Sequence, residues 1–240
     1  MDHANINKAR EIYYSLLGIF LTYGRLEAQK EKAIEILEKI AAFPMTEEIV
    51  QDAKALASEL GERGALAIEE EFDAVFINNL DAKAINLTAS FYAEGQERGE
   101  KLLLTKEIIT CTPKRKDESF VETEDNLGFL CTFLGYLVSD FEEKKHLELA
   151  KRLFAEVVNG YVDYVVIEIL KHPNARFYRH IARILESFAE FERLYLEIPA
   201  PKKEEFKDIS EALRQEMLGK SKKRVKRDLE NSGGSCDIGS

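Results

Sequence analysis

The sequence predicts an all-α protein, a single globular bundle of about eight to ten helices followed by a disordered basic C-terminal tail. Three observations predict it. Apolar residues recur at three- and four-residue steps through most of the chain, the spacing that gathers side chains on one face of a helix. Proline is scarce, 5 of 240 residues, while Glu, Lys, Leu and Ala are abundant, which favours helix over strand. Hydrophobic residues make up 45% and charged residues 32%, a balance that buries a core at this length instead of leaving the chain disordered.

Each element follows from the same reading. Ile6, Ala9, Ile12, Tyr13, Leu16, Leu17 and Phe20 mark the first helix, which Gly24 ends. Ala33, Ile34, Leu37, Ile40 and Ala41 mark the second, with Pro44 as its stop. Thr46 reads as the N-cap of a third helix, with acids in its first turn, running to about Leu60 and broken by Gly61 and Gly64. Leu66 to Phe76 is a further helix. Residues 78–90 read as a loop, 91–112 as mostly helical, and 113–119 as a charged connector. Glu124 or Asp125 opens the apolar helix 127–138, and residues 142–172 read as one long helix ended by Pro173. Phe177, Ile181, Ile184, Leu185, Phe188 and Phe191 trace the next, closed near Pro199 and Pro201. A weaker amphipathic segment spans 206–218. Residues 219–227, GKSKKRVKR, then carry six basic side chains, and 231–240 are small and polar. The expected division is a helical domain over 1–218 and a flexible tail over 219–240.

Charge and motifs narrow the function. Residues 1–200 carry 24 basic and 36 acidic side chains, so the acidity belongs to the folded part. That argues against a nucleic-acid partner, which needs a basic face to release counterions. The apolar stretch 127–138 is shorter than the ~20 residues that span a bilayer, so no stable membrane insertion is expected. Met1-Asp2-His3-Ala4-Asn5 lacks a basic region followed by an apolar run, and Cys111, Cys131 and Cys236 form no paired framework. The first predicts no signal peptide and the second a reducing compartment. Neither GxxxxGK[ST] nor GxGxxG occurs, and HExxH is absent. A di-iron bundle needs two Glu-x-x-His pairs. Only Glu143-Lys144-Lys145-His146 is present, in a charged run that reads as a solvated face. Cys131, between Leu130 and Thr132 in an apolar run, reads as a small core residue. No catalysis, no cofactor and no metal are expected.

What remains is an ordered set of short combinations. Phe72-Asp73-Ala74-Val75-Phe76 closes a helix, and Ser90-Phe91-Tyr92 follows. Glu122-Thr123-Glu124-Asp125-Asn126 precedes the apolar helix, and Ala175-Arg176-Phe177-Tyr178 opens a late one. The acidic turn has two readings. Asp125 can cap the apolar helix, with Glu122 or Glu124 favouring its positive end. Alternatively, the carboxylates, beside an apolar groove, can attract a peptide carrying arginines. Val75, Phe76 and Tyr92 either face the core or line such a groove.

In order and spacing, from about residue 6 to 200, these combinations resemble the TorD/DmsD/NarJ family of cytoplasmic all-helical chaperones for molybdenum enzymes. Thr123 stands where that family has Pro, which loosens the turn, and Asn126 stands where it has His. The resemblance implies a non-catalytic protein whose partner is a molybdoenzyme catalytic subunit, often bound through its twin-arginine signal peptide and held until the molybdopterin cofactor is inserted. A formate dehydrogenase, an S- or N-oxide reductase and a nitrate reductase are all compatible clients, and the chaperone would be a monomer or dimer. The client-binding residues so implied are Glu122, Asp125, Asn126, Val75, Phe76 and Tyr92. Two other classes remain open on sequence: a helical adaptor or regulator of a different protein, and a ferritin-like metalloenzyme.

Overall fold

The computed structural model describes residues 3–78, 82–118 and 120–201. The segment 206–218, the basic tail 219–240 and Cys236 lie outside the described residues, as does the domain boundary expected at 218.

Among the described residues the architecture is all helical, with one isolated antiparallel bridge and no strand. Helix α1, His3–Phe20, is followed by α2, Leu26–Ala42, across a turn in which Gly24 takes a φ of 65°. A 3-10 turn, Glu47–Ile49, leads into α3, Val50–Phe72, which runs on into a π turn, Asp73–Ile77. Two short helices follow, α4, Ala89–Glu94, and α5, Glu100–Thr110. The apolar helix α6, Leu127–Ser139, precedes α7, Lys144–Leu153, a second π turn, Phe154–Val158, and α8, Val162–Lys171. Helix α9, Phe177–Leu196, closes the bundle.

The order of elements is the one read from the periodicity, with local corrections. Helix α3 passes straight through Gly61 and kinks only at Gly64, where φ is 78°. Thr46 has the extended backbone of an N-cap, but its hydroxyl bonds Ser187 at 2.9 Å instead of a helix N–H. The long helix read over 142–172 is interrupted at Asn159-Gly160-Tyr161, so its two halves turn separately into the core. His146, read as part of a solvated face, is buried against Tyr136, with Nδ1 3.1 Å from Asp140.

Helix α6 is buried along most of its length, and α1 lies against it. The two backbones come close because small residues meet at the crossing. A Cβ on Gly128 would sit 2.2 Å from the Leu21 carbonyl oxygen, and one on Gly18 would sit 2.5 Å from Thr132 Oγ1. The far side of α1 meets α9 through a buried ion pair. Arg10 donates to both carboxylate oxygens of Glu192, which also accepts the Tyr14 hydroxyl at 2.7 Å, while Asn7 Oδ1 accepts from the same guanidinium at 2.8 Å. Helix α9 is fastened at its start by Glu71 of α3. That carboxylate accepts the backbone N–H groups of Arg176 and Tyr178 at 2.7 and 3.1 Å, replacing two of the bonds a helix N-terminus lacks. Asp52 of α3 takes His180 and Arg183 further along.

The crossing gives a direct test. Gly128→Ala should destabilise the protein by about 1–3 kcal/mol, because the new methyl meets rigid backbone. Gly135→Ala, whose Cβ would lie an ordinary 3.4 Å from Tyr14 Cβ, should unfold at or above the wild-type urea midpoint.

Burial gives a second. It pushes the hydroxyls of Tyr14, Tyr92, Tyr161 and Tyr178 well above the ordinary tyrosine range, with nearby carboxylates adding to the shift. A folded pKa raised above the unfolded one leaves stability intact below about pH 10 and removes it as pH climbs from there toward the folded value. The melting temperature should therefore fall as pH rises above about 10, and absorbance at 295 nm at pH 11 should report fewer ionised tyrosines in the folded protein than the 9 seen on unfolding.

Candidate functional site: the 122–126 turn and its surroundings

Residues far apart in sequence converge on the acidic turn. Ala89 N donates to the Asp125 carbonyl at 2.9 Å and Leu127 N to the Leu87 carbonyl at 2.8 Å, so the turn is laced to the segment before α4. Asp125 is 0% exposed. Its Oδ2 accepts the backbone N–H of Ser90 at 3.0 Å, and its Oδ1 accepts the Thr123 hydroxyl at 2.6 Å. Ser90 Oγ in turn accepts Leu102 N at 3.2 Å, which ties α4 to α5.

The cap of α6 is Asn126, not Asp125 or Glu124. Asn126 Oδ1 accepts Gly128 N at 2.9 Å, the bond expected of an N-cap side chain. Asp125 looks the other way, into α4. Thr123 does not loosen the turn, since its hydroxyl fastens Asp125 and its carbonyl accepts Asn126 N at 3.0 Å.

The other sequence-read residues fall into two groups. Val75 is 0% exposed, and its carbonyl accepts Ile85 N. Phe76 is half-buried, with ring centroids 4.8 Å from Phe72 and 5.0 Å from Tyr178. Glu122 is half-buried, and its Oε1 accepts the backbone N–H of Tyr23 at 3.4 Å. The Tyr23 ring lies tilted against Phe72, with centroids 5.7 Å apart, so Glu122 and Phe76 belong to one continuous line of contacts. Tyr92 belongs to another. Its hydroxyl donates to Glu168 at 2.8 Å and its ring stacks on Tyr161 and Tyr164. Burial and the Glu168 carboxylate together push its hydroxyl well above the ordinary range.

Sequence reasoning missed Tyr23, Arg25, Phe120 and Val121. Arg25 lies 4.9 Å over the Phe120 ring, and Lys116 lies over the same ring while donating to the Glu122 carbonyl at 2.8 Å. The available signal was an apolar pair, Phe120-Val121, standing between a charged connector and an acidic turn. Arg25 also lines a polar cleft of about 150 Å³ between α1, α2 and α6, with Ser15, Gln29, Lys32 and Tyr136 on its walls.

Among the described residues no group of His, Cys, Asp and Glu is placed to hold a metal. Burial pushes the Cys131 thiol far up, and the nearby Glu192 carboxylate pushes it further, which keeps it a packed, protonated group. The turn offers carboxylates, half-buried aromatic rings and exposed apolar side chains.

The sequence signature described as nitrate reductase delta subunit matches residues 44–166, which run from the end of α2 through the acidic turn into α8. The chain belongs to the nitrate reductase delta subunit family. This is the NarJ/TorD family of redox enzyme maturation chaperones, which are non-catalytic. Among solved structures, the chain is similar to the crystal structure of a protein assigned as a redox enzyme maturation protein from Archaeoglobus fulgidus. The identity is 22% and the TM-score 0.45, covering 76% of this chain and 92% of that one. No curated protein matches the chain. Within this NarJ/TorD-family chain no helix among the described residues is long and apolar enough to cross a membrane.

Asp125 therefore holds the turn in place. Asp125→Ala should lower stability by about 1–3 kcal/mol, because Ser90 N and the Thr123 hydroxyl lose a buried acceptor. Glu122→Ala, with one long bond to lose, should leave the urea midpoint within about 0.5 kcal/mol of wild type.

Proposed function

We propose that this NarJ/TorD-family chain is a cytoplasmic, system-specific chaperone that binds the catalytic subunit of a molybdopterin-dependent oxidoreductase before export. It holds the apoprotein, through its twin-arginine signal peptide, while the subunit folds and the cofactor is inserted. A formate dehydrogenase, an S- or N-oxide reductase and a nitrate reductase are all compatible clients. The observation that carries the reading is the family match over 44–166, since that stretch contains the acidic turn and the π turn that borders it. The physics is that of a peptide laid in a groove, where apolar contact supplies affinity and a few charged groups set orientation. Glu122 serves as the charged contact, with Phe76 and Tyr92 as half-buried aromatic walls. Asp125, Asn126 and Val75 serve from beneath by holding the backbone that presents them.

Affinity capture of the full-length tagged chain from its own cells, read by mass spectrometry, should recover a molybdoenzyme catalytic subunit. Deletion of the gene should abolish that enzyme's activity while its transcript persists. Capture free of any molybdoenzyme subunit, with activity unchanged on deletion, would overturn the reading.

A further inference from the structure

None of the proposed client contacts lines the cleft between α1, α2 and α6. The cleft exists because α1 and α6 meet there through small residues. Gly18 and Gly135 both lie on its wall, and neither has a side chain to fill the space beside the crossing. The volume left, about 150 Å³, is that of a cavity able to take a ligand of roughly six heavy atoms.

The side chains around it are polar and largely unengaged. Arg25, Gln29 and Lys32 follow at steps of four and three along the start of α2, so one face of that helix meets the cleft. The Lys32 ammonium and the Gln29 amide have no partner among the described residues. The hydroxyls of Ser15 on α1 and Tyr136 on α6, across the cleft, have none either. Arg25 lies 4.9 Å over the Phe120 ring, a contact that uses the face of the guanidinium and leaves the donors along its edge.

Charge gives the cleft its sign. Lys114 Nζ lies 5.0 Å over the Tyr136 ring and adds a third cation to Arg25 and Lys32. Glu11 is the carboxylate on the wall, half-buried and without an ion-pair partner among the described residues. Asp140, which follows Ser139 at the end of α6, lies 3.1 Å from His146 Nδ1. Cations therefore outnumber carboxylates here, although residues 1–200 carry 36 acidic and only 24 basic side chains. A concave site with low-dielectric walls concentrates such a local field on whatever enters it.

We infer that this cleft binds a small oxyanion, either a phosphate or a short hydroxycarboxylate. Arg25 and Lys32 meet its charged oxygens, and the Ser15 and Tyr136 hydroxyls and the Gln29 amide complete the donor set. Glu11 accepts from the hydroxyl that both kinds of ligand carry. The site stands or falls independently of the client reading, because it shares no contact residue with it.

Equilibrium dialysis of the full-length chain tests this with radiolabelled inorganic phosphate, glycerate and, as the neutral control, glycerol. At about 0.15 M sodium chloride, where exposed charges are largely screened, phosphate or glycerate should bind once per chain. The dissociation constant should be about 1 mM or tighter, with no glycerol bound. Binding of phosphate alone identifies a phosphate site, and binding of glycerate identifies a carboxylate one. Lys32→Ala and Arg25→Gln should each weaken the bound anion about ten-fold or more, the loss expected for one charge-assisted contact. Lys32→Glu, at an exposed position, should remove binding while the thermal melt stays unchanged. Lys54→Ala, at an exposed lysine of α3 outside the cleft, should leave binding as it is. No binding of either anion at about 10 mM, a concentration above any specific site of this kind, would overturn the inference. So would binding that survives Lys32→Glu, an equal loss in Lys54→Ala, or glycerol bound as well as the anions.

Discussion

The backbone contact between Gly128 and Leu21 is the constraint on which the site depends. Gly128 is the second residue of α6, and Leu21 directly follows the last residue of α1. Because nothing larger than hydrogen fits between them, the start of α6 is fixed against the end of α1. The turn that feeds α6 and the turn that leaves α1 are thereby brought alongside each other, which is why Glu122 meets Tyr23 across 99 residues of sequence. Close helix approach through small residues gains dispersion contact along both backbones, and it places loops as accurately as it places helices.

Besides Asp52, three buried carboxylates hold the rest of the frame, and each has both oxygens engaged. Glu192 takes Arg10 and Tyr14, Glu71 takes the start of α9 together with Arg63, and Asp125 takes Ser90 and Thr123. A buried charge stripped of its partner costs about 3–5 kcal/mol, so these groups behave as scaffold.

Much of this was legible in the sequence, for an identifiable reason. Helices with a continuous apolar face, such as α1, α6 and α9, announce themselves through spacing, since the face must repeat wherever the core is continuous. The acidic turn was legible as a place, but not in its internal bonding. Asp and Asn are near-equal as caps, so the choice between Asp125 and Asn126 is decided by what lies behind the turn, the free N–H of Ser90, which is 35 residues away. Thr46 was misread likewise because Ser187, far along the chain, competes for its hydroxyl. Gly61 and Gly64 look alike in sequence, and only the kink that lets Ala65 and Ile68 return to the core tells them apart. Tertiary partners, which a local reading does not contain, account for each of these differences.

The size of the apolar contact sets how tightly the proposed client complex can hold. A client segment that removed roughly 400 Å² of apolar surface from water would gain about 10 kcal/mol before costs. Association alone takes back at least about 4 kcal/mol, which leaves affinity in the tens of micromolar. A desolvated charge contact at Glu122, the charged contact proposed above, would add about 1.5–3 kcal/mol, moving the complex toward or below a micromolar. Apolar area alone is too weak to select a client, and a fully buried groove would hold one too long. The proposed client complex, with an apolar contact of that size and one charged contact, lies between those limits.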